Sequence, residues 1–405
     1  MSKWVWIVLA SMLAICGGAS AQVELERCIE RPFLVELPRV NPYVWCLQQP
    51  MAVDAPSGTG VTAFVYMNDG ILYGTKPYER QIVRLLDTDG DALPDTEEIF
   101  LEDLNLPNAI VTDGETLYIL GDGILYRHAD GDLETLIDDL PSGRGFIMAG
   151  LLLHDEHLYI GIPMPCDVCE SDNPRHGTVE RYDLDGSKRT TIARGLRYPS
   201  GLAVLDGDLW ITDSARDYLR PEAFADEINT MPLDSGTVPH FGFPYCIGQD
   251  NRADFAGDFD CADATAPAYV FPTGTTPFRL LPYEGSNEYL QGDMLVVMAG
   301  STNMAQMWGF QIARLGVRDG QVLVEAMLPA DESIAGTSRE FFNTGSVLRP
   351  RHTLTVSRRW SGLFPRHPYA LAINPEGWLI IGVSGGMLYS LSPGDHNPCE
   401  RYGCE

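Results

Sequence analysis

One pattern recurs along the chain and restricts its fold more than any other feature. Leu104-Asn-Leu-Pro107 leads into apolar Ala109-Ile110-Val111, an Asp113-Gly114 turn, and Leu117-Tyr118-Ile119. Gly195-Leu196-Arg197-Tyr198-Pro199 leads into Leu202-Ala203-Val204, Asp206-Gly207 and Leu209-Trp210-Ile211. His367-Pro368 leads into Leu371-Ala372-Ile373, Glu376-Gly377 and Trp378-Leu379-Ile380. The step from proline to the leucine of the second apolar run is ten, ten and eleven residues. Each copy reads as strand, tight acidic-Gly turn, strand. Weaker copies begin at Val61, Leu151 and Phe278, and third strands follow at Ile82, Ile124 and Met387. Such units cannot bury both faces alone, so repetition implies mutual stacking. Forty glycines and 28 prolines suit a turn-dense chain with little helix. The expectation is an all-β, six-bladed β-propeller with long inter-strand insertions. A seven-bladed ring is the alternative, because Arg216–Pro272 and Asp331–Arg359 are long and irregular. They read as insertions shaping a binding face.

Charge narrows the partners. The chain has 28 Lys plus Arg against 56 Asp plus Glu, a net charge of −28. Such a surface repels nucleic acid and anionic lipid. The only lysines are Lys3, Lys76 and Lys188, so a bound anion must be met mainly by arginine.

The first residues read as a signal peptide over 1–21: Lys3, an apolar run from Trp4 to Ile15, and Ala19-Ser20-Ala21 before Gln22. A lipoprotein anchor at Cys16 is the alternative, though Ile15 stands where a small residue is expected. No later stretch has the length of a membrane span. Periplasmic or extracellular localisation follows. Residues 22–50 are expected as a disulfide-linked extension, 51–395 as the propeller, and 396–405 as a tail with a short disulfide loop. Nine cysteines less Cys16 leave an even number for an oxidising compartment. Proximity suggests Cys28–Cys46, Cys166–Cys169, Cys246–Cys261 and Cys399–Cys404. Half a zinc site or a redox pair at Cys166 and Cys169 is the alternative, with no second CxxC to complete the zinc site.

Asp87, Asp89, Asp91, Asp95 and Glu98 stand at positions one, three, five, nine and twelve of a calcium-type loop. Ala92 replaces the usual loop glycine. The stretch reads either as a calcium-stiffened loop or as a solvated acidic turn, structural in both cases.

Several segments in order resemble the secreted, pyrroloquinoline-quinone (PQQ) dependent sugar dehydrogenases, in particular the sorbosone dehydrogenase-like branch. They are Leu158 through the Cys166-Asp-Val-Cys169 stretch to Arg175, Ala193 to Ala203, Trp210 to Asp217, Asp226-Glu-Ile-Asn229 and His240-Phe-Gly-Phe-Pro-Tyr-Cys246. The resemblance spans roughly Val61 to Leu391 and implies a six-bladed propeller. It also implies hydride transfer from a sugar hydroxyl or aldehyde hydrate to PQQ, with calcium polarising the quinone and a histidine taking the proton. It places the calcium-binding carbonyls at Ala215 and Arg216, with the Asp226-to-Asn229 run orienting their loop or merely beginning a strand. Arg197 becomes the leading candidate for a cofactor carboxylate, or else an inter-blade ion pair; Arg279 and Arg366 are lesser candidates. His240 to Cys246 reads as architectural.

The chain departs from the family pattern. The histidine position falls at Phe146, and no histidine lies between His128 and His154. His154 and His157 flank a turn and read as solvated. Tyr198 replaces a favoured Asn, Met304 replaces an Arg, and Gly274 replaces a His. No haem-attachment CxxCH is present, so an active enzyme needs a separate electron acceptor. Three functions remain open: a PQQ-dependent dehydrogenase impaired at its base, a non-catalytic secreted propeller binding a carbohydrate or protein, and a calcium-dependent lactonase-type hydrolase by fold analogy.

Overall fold

The computed structural model describes residues 45–48, 51–142, 147–216, 224–248, 252–253, 257–300, 309–328, 364 and 366–394. Phe146, Cys28, Cys399, Cys404, Met304 and the signal segment lie outside the described residues.

Six antiparallel sheets form the blades of a closed ring. Blade 1 holds strands Ala63–Tyr66, Leu72–Lys76, Gln81–Leu86 and Thr96–Leu101. Blade 2 begins with Ala109–Thr112 and ends with Asp132–Ile137; blade 3 runs from Gly150–His154 to Thr190–Arg194. Blade 4 holds Pro199–Leu205, Asp208–Asp213, Phe224–Pro232 and Tyr269–Pro272. Blade 5 runs from Pro277–Pro282 to Gln321–Leu328. Blade 6 holds Pro368–Ile373, Leu379–Val383 and Met387–Pro393. The first strand of every blade touches those of both neighbours, so the first strands line the axis.

Closure comes from the N-terminal side. Trp45–Leu47 pairs antiparallel with Met387–Pro393, and Met51–Ala52 pairs with the start of the same strand. The ring thus reaches back to Trp45, inside the segment expected as the extension. Trp45 is fully buried, so the closing strand is anchored by apolar burial as well as by backbone pairing.

The recurring pattern maps onto the first two strands of each blade. Asp206 and Gly207, at φ 54° and 83°, form the turn between the first two strands of blade 4. This is the turn whose twist suits paired strands. Asp155 and Glu156 make the equivalent blade 3 turn without glycine, at φ 45° and 59°. Second strands are buried on both faces, as at Leu117–Gly121, because each blade is sandwiched between two others. Leu125, Leu158 and Ile160 pack between blades 2 and 3, and Val179, Leu209 and Ile211 between blades 3 and 4. The outermost strand of blade 2, Asp132–Ile137, is largely exposed.

The expected insertion after Arg216 divides in two. Phe224–Pro232 is the third strand of blade 4, and the chain returns at Tyr269–Pro272 as its fourth. Between them, His240 to Cys246 docks on blade 3: the Phe241 amide donates to the Arg194 carbonyl at 2.8 Å and the Phe243 amide to Gly195 at 2.9 Å. The Cys246–Cys261 disulfide holds this excursion, in keeping with its expected architectural role.

Candidate functional site

First strands begin, and second strands end, at the same end of the ring. The connection from blade 3 to blade 4 crosses that end and carries Arg197. Its backbone is fixed by Asp213, whose carboxylate accepts the Arg197 amide at 2.9 and 3.1 Å and the Tyr198 amide as well. Gly195 makes the approach possible. Its φ is 70°, and a Cβ there would lie 2.4 Å from the His240 ring.

The Arg197 side chain is buried, and all three guanidinium nitrogens donate. Nε donates to the Asp167 carbonyl at 3.0 Å, Nη1 to the Ser214 carbonyl at 3.0 Å, and Nη2 to the Asp167 carboxylate at 2.6 Å. Asp167 lies within the Cys166–Cys169 disulfide loop, so that loop presents both groups to Arg197. Arg197 therefore links blades 3 and 4 by an ion pair and also stands beside the Ser214–Arg216 loop.

That loop is supported from below. Asp226 accepts the Ala215 amide at 2.8 Å through one oxygen and the Thr276 amide at 2.8 Å through the other. Asp226 is buried, and desolvation raises its pKa to about 6 despite those hydrogen bonds. Asp213 is raised to about 7, chiefly by burial. Glu227 is raised to about 8 by burial, then by the charge of Asp213. Glu227 also accepts the Gly248 amide at 2.9 Å and the Asn229 side-chain amide at 3.3 Å. Among the described residues the buried Ser214 hydroxyl and Asn229 Oδ1 have no hydrogen-bond partner. The three carboxylates are engaged by amide donors and hold the backbone around the loop, while the unpartnered Ser214 hydroxyl and the loop carbonyls are hard oxygens of the kind a calcium ion takes.

An aromatic wall borders the same end. The Tyr198 hydroxyl donates to the Ile147 carbonyl at 2.8 Å, and its ring lies 6.3 Å from that of Phe278. Phe278 meets Tyr369 at 5.4 Å, and Tyr369 stacks on His367 at 5.8 Å. Arg279 reaches from blade 5 into the axis, where its terminal nitrogens donate to backbone carbonyls. Arg366 is exposed beside Gly385 on blade 6. Arg197, Arg279, Arg366, Ala215 and Arg216 therefore belong to the end of the ring where the first strands begin. His154 and His157 flank the opposite turn of blade 3, each about a third exposed, beside Asp155 and Asp183 respectively.

The acidic loop stands apart, between the third and fourth strands of blade 1. Asp87, Asp89 and Asp95 bring one carboxylate oxygen each within 4.8 Å of the others. Asp91 instead accepts the Leu93 amide at 2.9 Å, and Glu98 pairs with Arg84 at 2.8 Å. Asp95 is lowered to about 2 by hydrogen bonds from the Thr96 and Thr88 hydroxyls and the Thr88 amide.

Sequence reasoning did not assign Asp213, Asp167 or Ser214 a role. Asp213 closes the Trp210-Ile-Thr-Asp213 run, and a charge ending so apolar a strand was the available signal. Asp167 carried none beyond its place between two cysteines.

No family model matches the chain, and no curated protein is similar to it in sequence. Solved structures do match in fold. A Trichoderma reesei carbohydrate-active enzyme of family AA12, in a calcium structure, aligns at a TM-score of 0.62 and 16% identity, covering 88% of this chain and 99% of the other. The holo PQQ domain of pyranose dehydrogenase from Coprinopsis cinerea aligns at 0.63 and 13%, covering 87% and 98%. PQQ-bound aldose sugar dehydrogenase from Streptomyces coelicolor aligns at 0.54 and 14%, covering 85% and 98%. Among the described residues no helix is long and apolar enough to cross a membrane. The chain shares the six-bladed fold of these solved structures, at 13 to 16% sequence identity.

Proposed function

We propose that this protein is an exported, quinoprotein sugar-dehydrogenase-like propeller. It would bind calcium and PQQ at the Arg197 end of the ring, with a sugar or aldehyde hydrate as the reductant. The observation that carries the reading is Asp226 tying the Ala215 loop to Thr276 beside the orphaned Ser214 hydroxyl. The carbonyls of Ala215 and Arg216 would hold the calcium. Arg197 would stand near a cofactor carboxylate, sharing its charge with Asp167. When bound, the calcium-polarised quinone supplies the hydride acceptor.

The rest falls to the chain. Asp213 and Asp226 fix two backbone segments, so the site is organised before a ligand arrives. The half-buried rings of Tyr198 and Tyr369, packed against the buried Phe278, would border a bound sugar. Phe146 has no lone pair for the hydroxyl proton, which must leave to solvent water, and that slows turnover. Electrons must leave to a separate acceptor. A second calcium, on Asp87, Asp89 and Asp95, would stiffen the blade 1 loop.

Carbohydrate binding without turnover is the second reading. It is favoured by Arg197, whose guanidinium already donates to Asp167 and Ser214. Reconstitution with PQQ and calcium, then dye reduction with a panel of aldoses, separates the two. Slow, aldose-dependent reduction supports the dehydrogenase. Aldose binding that needs no quinone, with no reduction, supports the second reading.

A further inference from the structure

Arg279 is the third residue of the innermost strand of blade 5, and its side chain crosses the axis. Nη1 donates to the Ala149 carbonyl and, at 3.3 Å, to that of Ser200. Nη2 donates to the Asn108 carbonyl and, at 3.3 Å, to that of Thr62. These oxygens belong to the start of the innermost strands of blades 3, 4, 2 and 1. One side chain thus joins five of the six blades.

The chemistry of this contact differs from an ion pair. All four acceptors are neutral carbonyls, converging with the negative ends of their dipoles toward one point. Crowded carbonyl oxygens repel one another unless a cation sits among them, and rings of carbonyls are a common way to hold cations. The two terminal nitrogens of a guanidinium carry four N–H bonds, matching four oxygens. The guanidinium carbon also lies 4.7 Å from the Phe278 ring centroid, which adds a cation–π contact. Burial lowers the Arg279 pKa only to about 10, so it stays charged at neutral pH.

We propose that the starts of the innermost strands form a cation site at the propeller axis, and that the chain fills this site permanently with its own guanidinium. The occupant serves as a clasp between blades. It also fills the axis at the end of the ring where the first strands begin.

The test replaces the tethered cation and offers a free one. Arg279→Ala should lower the melting temperature by about 5 °C or more. Low-millimolar methylguanidinium should recover at least half of that loss, while its neutral isostere methylurea recovers none and wild-type protein responds to neither. Arg279→Lys keeps the charge and should melt between wild type and Arg279→Met. In the unmodified protein, the Arg279 Nη protons should give separate, slowly exchanging resonances in a nitrogen-15 spectrum, a readout independent of how the variants fold. The proposal is overturned if Arg279→Met melts with wild type, if methylurea rescues as well as methylguanidinium, if neither rescues, or if the Nη protons average to one signal.

Discussion

Asp213 and Glu227 stand directly opposite one another on the second and third strands of blade 4, and both are buried. Two facing carboxylates in a low-dielectric interior resist joint ionisation. The folded chain therefore holds protons there that the unfolded chain releases.

That relationship fixes the sign of a pH effect. Burial raises both groups, to about 7 for Asp213 and about 8 for Glu227. Their contribution to stability is complete below the unfolded carboxylate range and is lost as pH rises through about 7 and 8. Urea midpoints should therefore fall between about pH 5 and about pH 9, and Glu227→Gln should flatten that fall. A slope unchanged by the substitution would contradict the assignment.

Arg197→Met should cost about 1 to 3 kcal/mol in urea unfolding, because the Ser214 carbonyl loses a charged donor in a buried setting while the exposed Asp167 carboxylate can turn to water. It should also abolish quinone binding. A loss of stability with quinone affinity retained would restrict Arg197 to joining blades 3 and 4.

Phe146→His should raise aldose-dependent dye reduction about a hundredfold in protein loaded with PQQ and calcium, the usual scale of a general base. Steady-state rates measure this directly. No gain, with quinone bound in both proteins, would show that the missing base does not limit turnover.

The Cys246–Cys261 bridge closes a separation of 15 residues over the blade 3 edge. Cys246→Ser should cost about 3 kcal/mol by loop entropy. Denaturant unfolding of the variant checks the value.

Asp89→Asn should remove calcium binding that does not depend on quinone, while leaving the quinone-linked calcium intact. Calorimetric titration with and without PQQ resolves the two.

The fold was legible because Asp-Gly turns and apolar runs recur at a nearly constant step, and a period survives divergence that erases individual residues. Asp206-Gly207 and the strand Leu209-Trp210-Ile211 needed no tertiary context. The closing strand Trp45–Leu47 was not legible, because its partner lies more than three hundred residues away and a short apolar stretch carries no register of its own. At the site, Arg197 stood out through its resemblance motif, while its holder Asp167 did not. Spatial convergence across loops leaves no spacing signal. Arg279 shows the same limit: the sequence marks a cation, and only the closed ring reveals that carbonyls receive it.

The proposed function puts a calcium–quinone pair at the Arg197 end of the ring. Equilibrium dialysis with PQQ in calcium buffer tests it most directly. The account predicts one quinone bound per chain, dependent on calcium and lost in Asp226→Ala but retained in Asp226→Asn at reduced affinity. Wild-type protein that binds no quinone at any calcium concentration would contradict it.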